Sequence, residues 1–497
     1  MKQKLYAPLL KKRRAGVLLH ISSLPSAHYV GDLGAEAYRF VDFLHDIGAT
    51  VWQTLPINMP HADNSPYQAL SAFAGNPDFI SLEALQSQGL LLRKADTDVL
   101  ITSKTQLLAS AYEAFKIRAE KKEQRAFTAF CKKQAHWLDD FALFLALRSK
   151  FNQTGWHTWP EAYKNRDAKT LKQARKELAH EIAVIQFTQF VFFTQWLSLK
   201  AYAATKNVHL FGDIPIFVAY DSADVWAQPH LFKLDADKNM TVVAGVPPDY
   251  FSSTGQRWGN PHYNWDAMAA DGYAWWISRM ATQSELFDIV RIDHFRGLEA
   301  AWEIAASEDT AINGQWVLAP GDELLAAIKQ ALPNICLVAE DLGIITDEVD
   351  ALRNKYNLPG MKILQFAFSG AEDNPYLPQN IEKNSVVYTG THDNDTTLGW
   401  HINLDEHQRG HFHRHLSATH SEEHQPDIPA DLINMALVSA ANLAIIPMQD
   451  ILALDSSHRM NTPGTSSGNW HWRFNWQQLS EEQKKMIAKA ITRTRRK

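Results

Sequence analysis

The chain has little of the features that mark several special classes of protein. It contains two cysteines, Cys131 and Cys336, far apart in sequence, so neither a disulfide framework nor a zinc site is expected. No apolar run approaches the ~18 residues that a membrane span requires. The short apolar stretch near the N-terminus is interrupted by KKRR, unlike the core of a signal peptide. We therefore expect a cytoplasmic protein with no membrane partner.

The chain also lacks an excess of positive charge. Its 49 Lys and Arg stand against 55 Asp and Glu, for a formal net charge of −6, which argues against nucleic acid as a partner. The two basic clusters, KKRR at 11–14 and RTRRK at the C-terminus, are expected to be solvated ends. No dinucleotide fingerprint or phosphate-binding loop is found, so we predict neither a cofactor nor a metal.

Aromatic residues, in contrast, are abundant. The chain has 16 Trp among its 497 residues, and many lie in segments that read as loops. Aromatic rings offer flat apolar faces with polar edges, which suit the faces of sugar rings. Any one of these Trp could equally fill the core of a large barrel.

The order of predicted elements favours a (β/α)8 barrel. Eight apolar runs read as strands, at 15–24, 49–57, 208–218, 287–293, 335–340, 361–368, 385–391 and 443–448. Helical patterns lie between them, at 35–47, 321–331, 346–356, 430–441 and 480–493. We predict three regions: 1–80 with the first strands and the SPYQ loop, 81–206 as a large helical insertion, and 207–497 as the remaining barrel. Loop subdomains are expected, and no C-terminal β-domain.

Four of the predicted strands end in an acidic residue: Asp213, Asp293, Glu340 and Asp393. A carboxylate at the mouth of a buried strand costs desolvation free energy unless it is paired or in use. Because the carboxyl ends of barrel strands meet at one face, these residues predict an active site there.

Two of these carboxylates are suited to opposite roles. Arg291 and Asp293 lie two apart on a strand and share a face, so the guanidinium should lower the pKa of Asp293, as a nucleophile needs. Burial and neighbouring carboxylates should raise the pKa of Glu340, as a general acid needs. A structural Arg–Asp pair and a hydrogen-bonded buried Glu are the alternatives for these residues.

His392 and Asp393 follow each other after the seventh predicted strand, and they could bind sugar hydroxyls and stabilise developing positive charge. Together with Asp293 and Glu340 on adjacent strands they make a glycosidase-type site. A carboxyl separation of roughly 5–5.5 Å would give a covalent sugar intermediate and retention of configuration.

The chain resembles the 4-α-glucanotransferases of glycoside hydrolase family 77, relatives of the α-amylases. The resemblance runs through GDIPIFVAYDSADVW, VPPDYFSSTGQRWGNPHYNW, IVRIDHFRGL, VAEDLG, KILQFAF, YTGTHDNDTTLGW and MNTPGTSSGNWHWRF. It covers most of the chain outside the helical insertion. Before SPYQ, the chain reads INMPHADN where the family has a tyrosine.

The resemblance implies transfer of α-1,4-glucan segments between maltooligosaccharides or starch and glycogen fragments, without a cofactor. It implies Asp293 as nucleophile, Glu340 as acid/base and Asp393 as transition-state stabiliser. The implied substrate-binding set is Arg291, His392, His294, Asp213, Tyr250, Phe251, Gln256, Trp258 and Asn461, with Asp213 in a supporting role. Oligomeric state stays open.

Three alternative functions remain. A retaining α-glucan hydrolase would use the same three carboxylates. A metal-dependent barrel enzyme would bind Mg²⁺ through Asp213, Asp293 and Glu340, although Arg291 beside them would repel the ion. A non-catalytic glucan-binding protein would not need Asp293 and Glu340 together.

Overall fold

The computed structural model describes residues 8–26, 30–92, 103–248, 252–419 and 426–496. Strands are numbered β1 to β12 in chain order. Eight of them form a parallel sheet in the order β10-β11-β12-β1-β2-β3-β6-β9. These are β1 Arg14–Leu18, β2 Val51–Gln53, β3 His209–Ile214, β6 Ile289–Ile292, β9 Leu337–Ala339, β10 Gly360–Ile363, β11 Ser385–Tyr388 and β12 Leu443–Pro447.

The two end strands of this sheet meet. The Ala339 amide at the end of β9 donates to the Pro359 carbonyl just before β10, at 2.9 Å. The predicted (β/α)8 barrel is confirmed, and each of the eight predicted strands overlaps one of these strands. Their apolar runs arise because helices cover the outside of a parallel barrel while side chains fill its interior. In β12, for example, all five residues are buried.

A second sheet was not predicted. Four antiparallel strands lie in the order β5-β4-β7-β8, with bounds β4 Val242–Val246, β5 Gln256–Pro261, β7 Ala300–Ala305 and β8 Gly314–Leu318. Strand β5 carries Gln256 and Trp258, so this sheet positions two residues of the predicted site. In the described part of the chain after β12, no further strand occurs.

The helices that alternate with the barrel strands agree with the sequence pattern. The first, Ala35–Ile47, ends at Gly48, whose positive φ of 78° suits a helix C-terminus. The other described helices outside the insertion are Ala223–Ala227, Trp265–Ala270, Ala274–Leu286, Gly321–Ala331, Asp347–Lys355, Thr397–Asn403, Glu406–Thr419, Ile428–Val438, Met448–Ile451 and Glu481–Arg493.

The predicted insertion consists of helices joined by short connections in its described residues. Its helices are Leu82–Ser87, Lys104–Arg118, Lys121–Lys150, Glu161–Lys164, Ala168–Glu177 and Ala179–Thr205. They pack directly on the barrel: Trp137 stacks on Phe73, with ring centroids 6.0 Å apart, and the Trp196 indole donates to the Leu286 carbonyl at 2.9 Å. The domain boundaries at 80/81 and 206/207 stay a prediction.

One helix, Ala179–Thr205, is long and apolar enough to cross a membrane by length and composition. Its apolar side chains, however, have partners inside the protein. Phe192 and Trp196 are fully buried in the main hydrophobic core. A core helix passes the same test of length and composition, so this helix is weak evidence for a membrane span.

Half of the loop-like tryptophans belong to the core. Trp156, Trp159, Trp226, Trp275 and Trp276 are buried. The half-exposed ones are Trp258, Trp265, Trp470, Trp472 and Trp476. Only rings with exposed surface are available to a sugar, so the first five are excluded as glucan contacts.

The prediction that both basic clusters are solvated is wrong for their inner residues. Arg14 is buried at the start of β1, and Arg496 has no exposed surface. The Arg496 guanidinium donates to the carbonyls of Leu437 at 2.6 Å and Ser439 at 2.9 Å, at the end of helix Ile428–Val438. Helix ends leave carbonyls without intrahelical partners, and a cation there is favoured by the helix dipole.

Arg496→Ala is expected to lower the free energy of unfolding by about 2–4 kcal/mol, because it leaves buried carbonyl oxygens without donors. The matched control is Arg495→Ala, at an exposed neighbouring position, where a change within about 0.5 kcal/mol is expected. Thermal and urea unfolding of the two variants check this. Equal midpoints would contradict the structural role of Arg496.

Candidate active site

Arg291 lies at the centre of the predicted site. Strand register places it directly opposite Asp213 on β3, and its Nη1 donates to Asp213 Oδ2 at 2.6 Å. Its Nη2 lies 2.9 Å from Asp293 Oδ1, two residues along its own strand. The predicted Arg291–Asp293 pairing is therefore present, and one buried guanidinium joins carboxylates from two neighbouring strands.

Asp213 is held away from solvent. Its side chain is 1% exposed, and Oδ2 also accepts a hydrogen bond from the Tyr67 hydroxyl at 2.7 Å. A carboxylate this enclosed can contact a sugar only through its neighbours. Asp213 therefore supports Arg291 and Tyr67, in keeping with the supporting role that the sequence resemblance implied.

Glu340 follows β9 directly and is held by two backbone amides. The His294 amide donates to Oε2 at 2.6 Å, and the Leu342 amide donates to Oε1 at 2.9 Å. Since His294 follows Asp293 in the chain, the first of these bonds places Asp293 and Glu340 at the same edge of the barrel. This contact, between Glu340 and the residue that follows Asp293, favours the predicted convergence of the two carboxylates.

His294 reaches Glu340 through an unusual backbone conformation. Its φ of 52° and ψ of 50° lie in the left-handed region, which is uncommon for a residue other than glycine. Its imidazole packs edge-on against Trp258, with ring centroids 4.8 Å apart. Burial lowers the pKa of His294 to about 3, so the ring is neutral at ordinary pH.

Asp393 lies five residues beyond β11 and is the most open of the three predicted catalytic carboxylates. Its side chain is 47% exposed, against 29% for Asp293. Its Oδ1 accepts a hydrogen bond from Asn461 Nδ2 at 2.6 Å and lies 3.3 Å from His392 Nε2. These two contacts fix the carboxylate while leaving surface available to a ligand.

Three aromatic rings form one wall beside these carboxylates. Tyr67 stacks on His392, with centroids 5.2 Å apart and ring planes 14° apart, and Trp470 lies 6.0 Å from both. Burial lowers the pKa of His392. A neutral aromatic wall next to carboxylates suits a sugar, which combines an apolar face with hydroxyl groups.

On the other side, strand β5 supplies the predicted binding residues Gln256 and Trp258. The Trp258 indole donates to Gln256 Oε1 at 3.2 Å. Trp258 is also the ring that contacts His294, so β5 lies next to the two central carboxylates. The predicted residues Tyr250 and Phe251 lie outside the described residues.

The charges of the site correct one prediction. Burial raises the pKa of Asp293 well above its ordinary value, and the carboxylates of Asp213, Glu340 and Asp393 add to this, while Arg291 opposes it. Arg291 lowers this pKa as expected, but burial and the three carboxylates outweigh it, so the expected net lowering is wrong in direction. The guanidinium is shared with Asp213, and the prediction counted only the pair within one strand.

The expected rise in the pKa of Glu340 is supported. Burial raises its pKa, although Arg291 and the two amides oppose the rise. Two interacting carboxyl groups titrate as a pair, because ionisation of one disfavours ionisation of the other. The arrangement can thus hold one negative charge and one proton side by side, as an attacking carboxylate and a general acid require.

Sequence reasoning missed three contributors to the site. Tyr67 carries a signal, since it is an aromatic residue inside the turn-rich SPYQ segment. His20 also carries a signal, since it stands just beyond β1, and it lines the same cavity as His392. Arg459, whose guanidinium donates to the Asp393 carbonyl at 2.9 Å, lies in an irregular segment with no pattern to mark it.

The surroundings of Arg291 bear on the metal-dependent alternative. Its cationic guanidinium occupies the space between Asp213 and Asp293, where a shared metal ion would have to bind. Within the described ranges, no group of three or more His, Cys, Asp or Glu side chains could hold a metal ion. These two features argue against Mg²⁺ coordination by the acidic cluster.

Known proteins are similar to this chain in sequence and in fold. The family model described as 4-alpha-glucanotransferase matches residues 19–479. The chain is 47% identical to the 4-alpha-glucanotransferase of Thermus thermophilus over 483 residues, or 95% of this chain and 96% of that protein. It is 46% identical over 488 residues to the enzyme of that name from Synechocystis sp., with coverage of 95% and 96%.

A solved structure is also similar to this chain. An amylomaltase from Streptococcus agalactiae in complex with acarbose is similar with a TM-score of 0.92 and 35% identity, over 98% of this chain and 100% of that chain. The family model alone spans most of the chain. On these grounds, the chain belongs to the 4-alpha-glucanotransferase family.

Proposed function

We propose that this protein is a 4-α-glucanotransferase that works by retaining double displacement. It moves an α-1,4-glucan segment from a donor maltooligosaccharide to an acceptor glucose or glucan through a covalent glucosyl-aspartate. The observation that carries the proposal is the joint positioning of Asp293 and Glu340: Arg291 holds the first, and the His294 amide holds the second.

In the first step, Asp293 attacks the anomeric carbon of the donor while Glu340 donates its proton to the glycosidic oxygen. The bond to the leaving chain breaks, and an ester bond forms between the sugar and Asp293. This inverts the configuration once. The leaving chain departs with the proton that came from Glu340.

In the second step, the ionised Glu340 takes a proton from a hydroxyl of the acceptor. The acceptor oxygen attacks the anomeric carbon and displaces Asp293, which regains its charge. This second inversion restores the α-configuration, so the product carries a new α-1,4 bond and Glu340 carries its proton again.

Asp393 and the aromatic wall act on the sugar itself. An oxocarbenium-like transition state carries positive charge, which the partly exposed carboxylate of Asp393 stabilises. Asn461 and His392 orient that carboxylate. Tyr67 and Trp470 provide the apolar faces.

The choice of transfer over hydrolysis depends on how the covalent intermediate meets its second reactant. Water wins unless an acceptor is held in place, and good positioning gives effective molarities of about 10⁵ M or more. Trp258 on β5 is placed to hold an acceptor beside Glu340, since it contacts the residue whose amide binds that carboxylate. A retaining α-glucan hydrolase is the second candidate, because it would use the same carboxylates.

The cellular setting is part of the proposal. A cytoplasmic location accords with the free thiols of Cys131 and Cys336. The proposed partners are α-1,4-glucans, with no role for nucleic acid or a membrane.

Asp293→Asn is expected to lower transfer by about three orders of magnitude or more, because the amide cannot form the glycosyl ester. The control is Asp309→Asn, at an exposed position outside the site, which should keep wild-type activity. Product analysis from maltotriose checks both function and mechanism. Wild-type enzyme should yield glucose and longer oligomers; maltose and glucose alone would identify a hydrolase, and an active Asp293→Asn variant would exclude the mechanism.

Glu340→Gln is expected to separate acid catalysis from nucleophilic attack. The variant should be nearly inactive on maltotriose, whose leaving oxygen needs a proton. It should still cleave an α-glucosyl fluoride, because fluoride leaves without protonation. Fluoride release and maltotriose turnover are measured for both enzymes. Equal losses on the two substrates would contradict a specific acid role for Glu340.

Substitutions of His294 should act through its backbone. Glycine adopts positive φ freely, so His294→Gly keeps the amide aimed at Glu340, whereas the β-branched residue in His294→Val disfavours this conformation. A hydrogen bond to the ionised carboxyl lowers its pKa, so losing it raises the pKa of Glu340. On the high-pH side, kcat/KM falls as Glu340 loses its proton. The pH of this fall should therefore be higher in His294→Val than in wild type, and unchanged in His294→Gly. Identical pH profiles in the two variants would refute this.

A further inference from the structure

A pair of histidines lies on one face of helix Glu406–Thr419, outside the site described above. His407 and His411 are four residues apart, so their side chains project from neighbouring turns. Their Nε2 atoms are 3.2 Å apart and their ring centroids 4.5 Å apart. His407 is exposed and His411 half-buried, so the gap between the two nitrogens is open to solvent.

We propose that His407 and His411 form a binding site for a divalent transition metal ion such as Zn²⁺ or Cu²⁺. Imidazole nitrogens are preferred ligands of these ions, and two histidines at this helical spacing are a known chelating arrangement. Zinc–nitrogen bonds of about 2.0–2.1 Å place two nitrogens roughly 3.3 Å apart at the tetrahedral angle and about 2.9 Å apart at a right angle. The observed 3.2 Å lies between these values, so both rings can bind one ion without moving far.

The facing chain segment leaves room for this ion. Gly370, with φ of 103°, lies against both rings: a Cβ added there would be 2.9 Å from His411 Nε2 and 3.0 Å from His407 Cε1. Any side chain at this position would therefore fill the space beside the imidazoles. His411 also lines an open cavity of about 460 Å³, large enough for the water molecules that would complete the coordination.

The charges around the cavity are mixed. Glu372 and Arg414 both line it, so the surroundings carry an anionic and a cationic side chain. The two imidazoles are thus the main attraction for a metal, and affinity should depend on both together. Losing either ring leaves a single protein ligand.

A second histidine pair serves as an internal comparison. His401 and His413 have Nε2 atoms 3.4 Å apart, but both rings are half-buried and pack on Phe412 at ring distances of 5.4 and 5.5 Å. This pair joins two helices and has less access to solvent. The proposal therefore assigns the ion to His407 and His411, the more exposed of the two pairs.

Calorimetric titration of ZnSO₄ into EDTA-treated, dialysed protein tests the site. One saturable ion per chain is expected, with affinity reduced by about tenfold or more in His407→Gln and in His411→Gln, since each keeps one imidazole. His180→Gln, which removes an exposed histidine from another helix, is the control and should bind as wild type. Electron paramagnetic resonance with one equivalent of Cu²⁺ should report two coordinating nitrogens in wild type and one in either variant.

Circular dichroism first establishes that all variants are folded. The proposal is overturned if wild-type protein shows no saturable zinc binding at about 100 µM, or if His407→Gln and His411→Gln both bind like wild type. It is also overturned if binding is lost in His413→Gln and kept in His407→Gln, which would assign the ion to the other pair. These results do not depend on the transferase mechanism, because His407 and His411 are not among the residues proposed to carry it.

Discussion

The shared guanidinium of Arg291 is the interaction on which the rest of the site depends. It is buried, and it joins Asp213 on one strand to Asp293 at the end of the next. Removing one member of a buried ion pair leaves an uncompensated charge and typically costs about 3–5 kcal/mol. The barrel register that sets Asp213 opposite Arg291 therefore also fixes Asp293, the proposed attacking carboxylate. Fold and chemistry share one constraint here: a shift of either strand by one residue would turn the partner to the other face of the sheet.

Much of this architecture is readable from sequence, for a physical reason. Parallel barrel strands are buried on both sides, so they appear as short apolar runs, and functional groups collect where those runs end. That is why all eight barrel strands could be predicted, together with the acidic residues at or beyond the ends of four of them. The antiparallel sheet escaped notice partly because two of its four strands have another composition. Strand β5 reads QRWGNP, with residues typical of turns, and β8 is largely exposed, so neither shows the apolar pattern used to find strands.

Contacts between distant segments of the chain were the other feature that could not be predicted from the sequence. Tyr67 reaches Asp213 across 146 residues of sequence, and Arg496 closes the end of a helix that begins at Ile428. No local pattern encodes such pairs. The prediction for the pKa of Asp293 failed for the same reason. The prediction weighed only Arg291 against Asp293, whereas three carboxylates from other strands add to the effect of burial and together with it outweigh one shared cation. Domain boundaries, in contrast, remain predicted, since the insertion and barrel share one continuous core.

The way Glu340 is held shows what this fold contributes to catalysis beyond bringing acids together. Its carboxyl oxygens accept from two backbone amides, those of His294 and Leu342, and neither donor depends on a side-chain rotamer. Such donors are oriented before the substrate arrives, so little reorganisation is needed when charge changes on the acid. The arrangement requires His294 to keep a backbone conformation that costs about 1 kcal/mol or more for a residue other than glycine. That strain is maintained because β6 fixes the chain before it and the edge-on contact with Trp258 fixes its ring. The residue that follows the proposed nucleophile thereby positions the proposed acid, so Asp293 and Glu340 cannot be displaced independently of each other.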